Sequence, residues 1–300
     1  MLLGLLGVLG FSFSLPFTRI AVEHLSPWFV AFGRAVLAGV LALGYLAVTG
    51  FGRLTARQVR SLLVVAFGVV IGFPLFSSLA LTMQTASHGA VVITVLPAAT
   101  AVWAVLRAGE RPNGRFWLAS GAGLVAVLLF VATTGALTGG FELADLLLLA
   151  SVVVCGLGYA EGGALSRDLG GARTICWALV LSLPGTVPVA LLTMPAAPAQ
   201  VPVPSWLGFG YLSLVSMFLG FFAWYAGLAR GGVARVGQTQ LAQPVLTLTW
   251  SVLLLGEKVG VFTAVMAGVV LACVVLTQRS RETTPQVGGE RPTPLLARRS

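Results

Sequence analysis

Apolar runs of about twenty residues, separated by short polar connectors, recur along the 300-residue chain. A helix needs about 20 apolar residues to cross the hydrocarbon core of a bilayer. The runs do not alternate between apolar and polar residues, and hydrocarbon requires each backbone polar group to be paired, so helices are favoured over strands. We therefore predict an all-α integral membrane protein with ten transmembrane helices, at residues 2–22, 27–48, 60–82, 87–106, 115–134, 144–164, 173–194, 206–229, 234–255 and 260–278.

The composition agrees with lipid, rather than water, as the solvent. Charged residues make up 9% of the chain and apolar residues 57%, with a mean hydropathy of +0.97, whereas a soluble domain has about 25% charged residues. The net charge of +9 raises the question of a nucleic-acid partner. The basic residues are scattered among the connectors, however, and do not form a basic footprint. We expect the bilayer and a small molecule as partners, and no nucleic acid.

Cysteine and histidine usage gives no sign of a metal site. The three cysteines, Cys155, Cys176 and Cys273, each fall in an apolar run, where a free thiol is most simply a small core residue. Neither they nor the two histidines have metal-ligand spacing. We expect no metal and no cofactor.

Basic residues occur in every second connector, which predicts the direction of the helices. The first run has no basic n-region and no clear cleavage site, so we interpret it as a retained helix and not as a signal peptide. By the positive-inside rule, both termini then face the cytoplasm. The basic connectors carry Arg53, Arg57, Arg60, Arg107, Arg111, Arg115, Arg167, Arg173, Arg230 and Arg235.

One segment of the sequence occurs twice. The stretch PAATAVWAVLRAGER at 97–111 recurs 147 positions later as PVLTLTWSVLLLGEK at 244–258. This offset contains five predicted spans, and five is an odd number, so the second copy enters the membrane in the opposite direction. We predict two inverted five-helix repeats, 1–137 and 138–279, followed by a disordered cytoplasmic tail at 280–300. Inverted repeats in transporters hold the substrate between them, near the membrane midplane.

The repeated pattern resembles the EamA family of the drug/metabolite transporter superfamily. Each copy has a proline in its fourth span, then Gly-Glu, then a glycine eleven residues beyond the glutamate, and the stretch 10–39 is similar to the opening of that family. The resemblance implies ten helices and export of small metabolites across the bacterial inner membrane, with spans six and eight completing the wall of the site. The aromatic amino acid exporters of the YddG type are a similar subgroup.

The paired Gly-Glu motif has a structural interpretation. Gly109 and Gly256 can end a helix in the left-handed conformation. Glu110 and Glu257 would then lie beside the N-terminus of the next helix, where free N–H groups and the helix dipole favour a carboxylate. We expect these four residues to be structural caps.

Four of the prolines within the predicted spans, in spans one, three, four and nine, indicate bends. Proline removes one helical hydrogen bond and frees the carbonyl four residues earlier. In lipid, a freed carbonyl persists only where protein or a wet cavity meets it. We predict a cavity where spans one, three, four and nine bend, although such prolines can also serve packing alone. The four are Pro16, Pro74, Pro97 and Pro244.

Span nine has the most polar face among the predicted helices. Gln240, Gln243 and Thr247 are spaced by three and four residues and therefore share one side of the helix. They are candidates for binding substrate or for hydrogen bonds between helices. The matching face of span four is mostly apolar, which suits an amphiphilic solute such as an amino acid with a large side chain. Further candidates for substrate binding are Ser12, Phe17, Phe73, Ser77, Ser78, Thr100, Tyr159 and Trp224.

Three ionisable residues fall within or at the ends of spans and are functional candidates. Arg34 lies within span two and could hold a substrate carboxylate, pair with a freed carbonyl or snorkel outward. His88 begins span four and is a candidate for a proton relay. Glu161 lies late in span six, where Arg167 or Arg173 could pair with it. No titratable residue stands out near the midplane, which favours facilitated diffusion or exchange, with proton-coupled efflux as the alternative.

Other classes of membrane protein have less support in the sequence. An intramembrane enzyme needs a buried nucleophile with its base, or clustered metal ligands, and neither a Gly-x-Ser-x-Gly elbow nor a zinc-binding His-Glu pair occurs. A channel normally shows rings of charge or a carbonyl filter. Both repeats are in one polypeptide, so a monomer is sufficient for a complete carrier.

Overall fold

The computed structural model describes residues 1–110 and 142–257, together with isolated positions between and beyond these ranges. Within them the chain is helical throughout, apart from short connectors, and seven helices are long and apolar enough to cross a membrane. They are α1 (Leu2–Val22), α2 (Pro27–Thr49), α3 (Ala56–Met83), α4 (Ala86–Arg107), α5 (Leu143–Leu169), α6 (Gly171–Leu192) and α7 (Val203–Gly231). An eighth helical stretch, α8, consists of Val233–Gly237, Gln238–Ala242 and Gln243–Leu255.

These elements coincide with eight of the predicted spans. The elements α1 to α4 match spans one to four, and α5 to α8 match spans six to nine, with ends that agree to within a few residues. The observed α5 continues to Leu169, five residues beyond the predicted end. Predicted spans five and ten, at 115–134 and 260–278, and the predicted tail lie outside the described residues.

Caps and glycines explain where the helices begin and end. A capping box starts α3, since Thr55 Oγ1 accepts from Gln58 N at 3.2 Å and Gln58 Oε1 accepts from Thr55 N at 2.9 Å. A single residue, Gly170, joins α5 to α6, and Gly232 alone joins α7 to α8. Their φ angles of 81° and 82° are accessible to glycine at low cost. Such short connections make consecutive helices antiparallel neighbours.

Five of the helices are irregular near their middles. A π-helical segment occupies Ala66–Gly72 in α3, and another occupies Leu212–Leu219 in α7. The α-helical hydrogen bonding of α4 is interrupted between Ile93 and Leu96, and α8 contains the 3₁₀ segment Gln238–Ala242. In α1 the interruption falls at Phe13. The irregularities of α3 and α7, and those of α4 and α8, lie about 147 residues apart, which is the offset of the sequence repeat.

The four prolines follow these irregularities. Pro74, Pro97 and Pro244 each lie in the first turn of the helical segment that begins after the irregularity. Pro16 is the third residue of the segment that begins at Ser14. A proline in the first turn has no N–H that would need a partner. The prolines therefore lie near the start of new helical segments within interrupted spans.

The two elements α4 and α8 pack against each other in opposite directions. The first part of α4 contacts the last part of α8, and the last part of α4 contacts the first part of α8. Equivalent tryptophans link this pair to other helices. Trp103 Nε1 donates to the carbonyl of Val153 on α5 at 3.0 Å, and Trp250 Nε1 donates to Ser12 Oγ on α1 at 3.0 Å. The corresponding segments of the two predicted halves therefore interlock.

Polarity is reversed relative to a water-soluble protein. Large apolar side chains lie on the outer surface, such as Leu192 at 85% exposure and Leu63 at 50%, whereas Arg34 and Gln240 are buried at 2% exposure. Hydrocarbon accommodates the apolar surface, and the polar groups are removed from it. This arrangement fits a multi-pass membrane protein.

Glycines allow some helices to approach at backbone distance. The closest described case joins α3 to α5, where a Cβ added to Gly68 would lie 2.4 Å from the carbonyl oxygen of Val154 and 2.9 Å from the Cα of Gly158. Small residues commonly have this role between membrane helices, because packing is the main attraction available there.

We predict that Gly68→Ala destabilises the protein, because the added methyl group would push α3 and α5 apart. The expected loss is about 1–3 kcal/mol of unfolding free energy, the usual range for overpacking. Thermal unfolding in detergent measures it. Gly44→Ala is the matched control, since a Cβ at that helical position would meet nothing within 4 Å. Equal unfolding midpoints for the two variants would contradict the close approach of α3 and α5.

Candidate functional site

A small cavity lies at the level of the helix irregularities. Its wall is formed by residues of α1, α2, α3, α4, α5, α7 and α8. The volume of about 20 Å³ is enough for about one water molecule. The wall residues are Phe11, Ser14, Leu15, Arg34, Val69, Phe73, Pro74, Leu96, Cys155, Tyr159, Ser216, Met217, Phe221 and Gln243.

Arg34 is the only formally charged residue among the described residues that line this cavity. Its side chain is among the largest fully buried ones, although it lies within a membrane-spanning helix. Its Nε is buried without a hydrogen-bond partner, and the guanidinium makes no hydrogen bond within the described chain. The Cys155 thiol lines the same cavity. Burial of an unpaired charge is costly, so this side chain needs a function that justifies its position.

The predicted polar face of α8 is buried, and the three residues differ in their partners. Gln243 lines the cavity, and its Oε1 has no hydrogen-bond partner. Both amide atoms of Gln240 lack partners, as do those of Gln238, which the sequence analysis did not single out. Thr247 donates to the carbonyl of Ser12 at 2.7 Å. That carbonyl is the one freed by Pro16, so Thr247 is already engaged in holding α1 to α8.

Among the other candidates, two aromatic residues reach the cavity. Phe73 and Tyr159 both line it. Trp224 is fully buried and packs against Tyr159, with ring centroids 5.2 Å apart, but it does not line the cavity. Its Nε1 has no hydrogen-bond partner within the described chain. The sequence analysis missed Ser216, whose hydroxyl lies 2.7 Å from that of Ser14 inside the cavity wall.

The remaining candidates lie away from the cavity wall. Phe17 stacks on Tyr211 with centroids 4.5 Å apart, and Ser77 donates to the carbonyl of Phe73 at 2.6 Å. Ser78 and Thr100 are buried, and their hydroxyls have no partner within the described chain. Ser12 Oγ has two hydrogen bonds: it donates to the Leu9 carbonyl at 2.7 Å and accepts from Trp250 Nε1 at 3.0 Å.

The other ionisable candidates lie in two separate places. His88 Nε2 is 2.7 Å from Asp145 Oδ1, where α4 and α5 begin. Glu161 accepts from Ser61 Oγ at 2.6 Å and from Arg107 Nε at 2.9 Å. The suggested pairing of this glutamate with Arg167 or Arg173 was therefore wrong. Arg167 instead contacts Glu110 at 2.8 Å, and Arg173 donates to the carbonyls of Thr49 and Gly50.

The basic connectors, which the sequence predicts to lie on the same side of the membrane, come together at one end of the molecule. The contacts of Arg107, Arg167 and Arg173 join the regions after α2, α4, α5 and α7, and we call this the arginine-rich end. A pocket of about 230 Å³ opens here between Arg57, Ser61, Arg107 and Glu161. Among the residues described, no three His, Cys, Asp or Glu side chains come close enough to hold a metal ion.

The Gly-Glu motifs form two equivalent contacts, which we call the glutamate clasps. Glu110 Oε1 and Oε2 accept from the backbone N–H groups of Val233 and Ala234 at 2.7 and 2.8 Å. Glu257 accepts from those of Ala86 and Ser87 at 3.1 and 2.9 Å, and from the Ser87 hydroxyl. Donors and acceptors are each related by the 147-residue offset. Each carboxylate thus caps the first turn of the corresponding helix in the other half.

This arrangement adds a contact of the glutamates that the sequence did not predict. Gly109 and Gly256 end α4 and α8 with φ of 66° and 64°, in the left-handed region. Glu110 and Glu257 cap α8 and α4, and the helix predicted to follow each glutamate in the chain lies outside the described residues. The physical reason is that α4 and α8 are antiparallel, so the C-terminus of each lies beside the free N–H groups of the other. One clasp is at the arginine-rich end and the other is at the opposite end.

We predict that Glu257→Ala lowers the free energy of unfolding by about 1–2 kcal/mol, the usual cost of losing a helix cap. The alanine leaves two N–H groups of the first turn of α4 without their carboxylate. Glu23→Ala is the control, because Glu23 is exposed. Thermal unfolding in detergent compares the two variants, and a loss no larger than that of the control would show that the clasp adds no stability.

Comparisons with known proteins give consistent results. The sequence profile of the EamA-like transporter family matches residues 1–132 and 142–279. An uncharacterized transporter of Bacillus subtilis (strain 168), YdeK, is 49% identical over 276 residues, which cover 92% of this chain and 96% of that protein. An uncharacterized transporter of Archaeoglobus fulgidus is 22% identical over 265 residues, covering 87% of this chain and 91% of the relative.

The fold is also found in a solved crystal structure. That structure superimposes with a TM-score of 0.70 and covers 93% of this chain and 98% of its own. The sequences are only 17% identical, so the similarity concerns the fold alone.

Proposed function

Because the chain belongs to the EamA-like transporter family, we propose that it is a carrier that exports small amphiphilic metabolites across the bacterial inner membrane. Amino acids with aromatic or other large side chains are the first substrate class to test. The cavity between the bent helices is the proposed binding site, and transport proceeds by alternating access. Two inverted five-helix repeats, with both termini in the cytoplasm, provide the framework, and one copy of the chain is sufficient.

The observation that carries this proposal is a set of buried polar atoms without partners on helices long and apolar enough to span a membrane, or on α8. Gln240, Gln243 and Arg34 present such atoms at or beside the cavity. In a hydrocarbon environment each unsatisfied polar group is costly. A bound solute with complementary polar groups would remove that cost, which is a physical reason for a ligand to enter. Interhelical hydrogen bonding, the other interpretation of the α8 face, accounts for Thr247 only.

The glutamate clasps support alternating access. They close opposite ends of the α4–α8 pair, and both are formed in this structure, around a cavity too small for an amphiphilic metabolite. This geometry supports an occluded state, in which neither end gives access to the cavity. Release of the clasp at the arginine-rich end would open the cavity to the cytoplasm, and release of the other clasp would open it to the outside. A channel would need both ends open together.

Facilitated diffusion or exchange is the proposed mode of coupling. Among the described residues that line the cavity, none is a carboxylate or a histidine that could carry a proton. The His88–Asp145 pair lies at the start of α4 and α5, away from the cavity. That pair is nevertheless the observation that favours the alternative, proton-coupled efflux.

We predict that Gln243→Ala reduces the flux of transported amino acids at least about tenfold in proteoliposomes, because it removes a hydrogen-bonding group from the cavity. The protein should still fold, since Oε1 has no partner to lose. Gln200→Ala, in an exposed turn between α6 and α7, is the matched control. Normal flux through the Gln243→Ala variant would remove this face of α8 from the site.

The same vesicles test the coupling. Uptake driven by a solute gradient alone, together with counterflow of labelled solute, is expected of a facilitated carrier or exchanger. Strict dependence on an imposed pH gradient, lost in His88→Gln, would establish the proton-coupled alternative. Flux that does not saturate would indicate a channel.

A further inference from the structure

We propose that the group recognised at the centre of this carrier is a carboxylate, held by Arg34, and that the preferred solute is a small organic monoanion with an apolar body. This inference rests on the proposed function and specifies its substrate class. It differs from the first expectation of amino acids, because it assigns no partner to the ammonium group of a zwitterion.

The state of Arg34 is the first argument. Its side chain is 2% exposed, faces the cavity and makes no hydrogen bond within the described chain. A buried guanidinium without a counter-ion is strongly unfavourable, and a structural role in packing would be served better by an apolar residue. A planar guanidinium also matches a carboxylate with two parallel hydrogen bonds. The ligand therefore supplies the missing counter-ion, as a carboxylate that pairs with Arg34.

The placement of the acidic residues is the second argument. None of the acidic side chains that the structure describes lines the cavity. Glu161 is held by Ser61 and Arg107, Asp145 pairs with His88, and Glu110 and Glu257 form the clasps. These four carboxylates are thus engaged elsewhere, and the described wall of the cavity keeps one positive charge. A monoanion neutralises that charge, whereas an organic cation would double it.

The rest of the wall is the third argument, since it specifies the body of the solute. Phe11, Phe73, Phe221, Met217 and Leu96 surround the cavity with aromatic and aliphatic surface. The wall thus combines one charged group with an apolar surface. An arylalkyl carboxylate matches it, because it has one charged group and an apolar body. A neutral ion pair in such a wall costs less than the free guanidinium, which would help the loaded carrier to pass through an occluded state.

Three probes with the same phenylethyl body isolate the charge: 3-phenylpropionate, phenylalanine and phenethylamine. Binding to the purified full-length protein at neutral pH is measured by the rise of the unfolding midpoint with ligand concentration. This readout avoids passive leakage of weak acids through vesicles. We expect 3-phenylpropionate to bind most tightly, phenylalanine more weakly and phenethylamine least.

Variants separate recognition from folding. Arg34→Gln is expected to weaken binding of 3-phenylpropionate roughly tenfold to a hundredfold, and Arg34→Lys to weaken it less. The Gln243→Glu substitution places a carboxylate of the protein in the same cavity, where it can pair with Arg34 in place of the ligand. We therefore expect its unfolding midpoint to be at least as high as that of the wild type, and not to rise further when 3-phenylpropionate is added. Arg53→Gln, at an exposed arginine outside the membrane helices, is the matched control and should bind normally.

Two results would overturn the inference: unchanged binding of 3-phenylpropionate to Arg34→Gln, or tighter binding of phenethylamine than of the carboxylate. If Arg34→Gln does not fold, the response of Gln243→Glu decides, and normal probe binding by that variant contradicts the proposal. Failure of the proposed function has a different signature. Saturable flux of an uncharged or cationic solute would leave the carrier intact and remove only the carboxylate, whereas absence of saturable flux for every solute would remove the carrier itself.

Discussion

Hydrocarbon offers no hydrogen bond, and this constraint explains both the regular and the irregular parts of the molecule. The backbone satisfies itself by helix formation, and each interruption needs a replacement partner. Several replacements are visible. The Ser12 carbonyl, freed by Pro16, accepts from Thr247, and the first N–H groups of α4 and α8 find carboxylates. Among the buried side chains with polar atoms that lack a partner in the described chain, Arg34 and Gln243 line the cavity, whereas Gln240, Ser78 and Thr100 do not.

The glutamate clasps satisfy the same constraint at the ends of the central helix pair. A helix N-terminus near the membrane boundary carries unpaired N–H groups, and a carboxylate from the antiparallel partner pairs with them. The bond is strong while it is formed, yet water can replace it once the end opens. That makes it suitable as a contact that is exchanged during transport. The 147-residue relation between the two clasps is what an inverted repeat would produce, because the same interaction then occurs once at each end.

The sequence predicted the features that depend on composition and on local order. The apolar runs predicted the eight described helices with ends correct to within a few residues, and the four prolines chosen as candidate bends lie just after the helix irregularities. The sequence could not predict which helix each glutamate caps, because that depends on the packing of α4 against α8. The predicted partner of Glu161 was wrong for the same reason, because the observed partner, Arg107, lies on a helix that is distant in the chain. The π-helical segments have no local sequence signal, and the pairing of Ser14 with Ser216 joins residues about two hundred positions apart.

The most direct test of the account is to measure how far each end of the α4–α8 pair opens. Spin labels at Met83 and Leu254 report on the clasp of Glu257, and labels at Leu106 and Arg235 report on the clasp of Glu110; all four side chains are exposed. Pulsed electron paramagnetic resonance gives both distance distributions in lipid, with and without a transported solute. We expect that, in molecules in which the label distance at one clasp is lengthened, the label distance at the other clasp stays short. A population with both distances lengthened, or two distances that never change during transport, would contradict it.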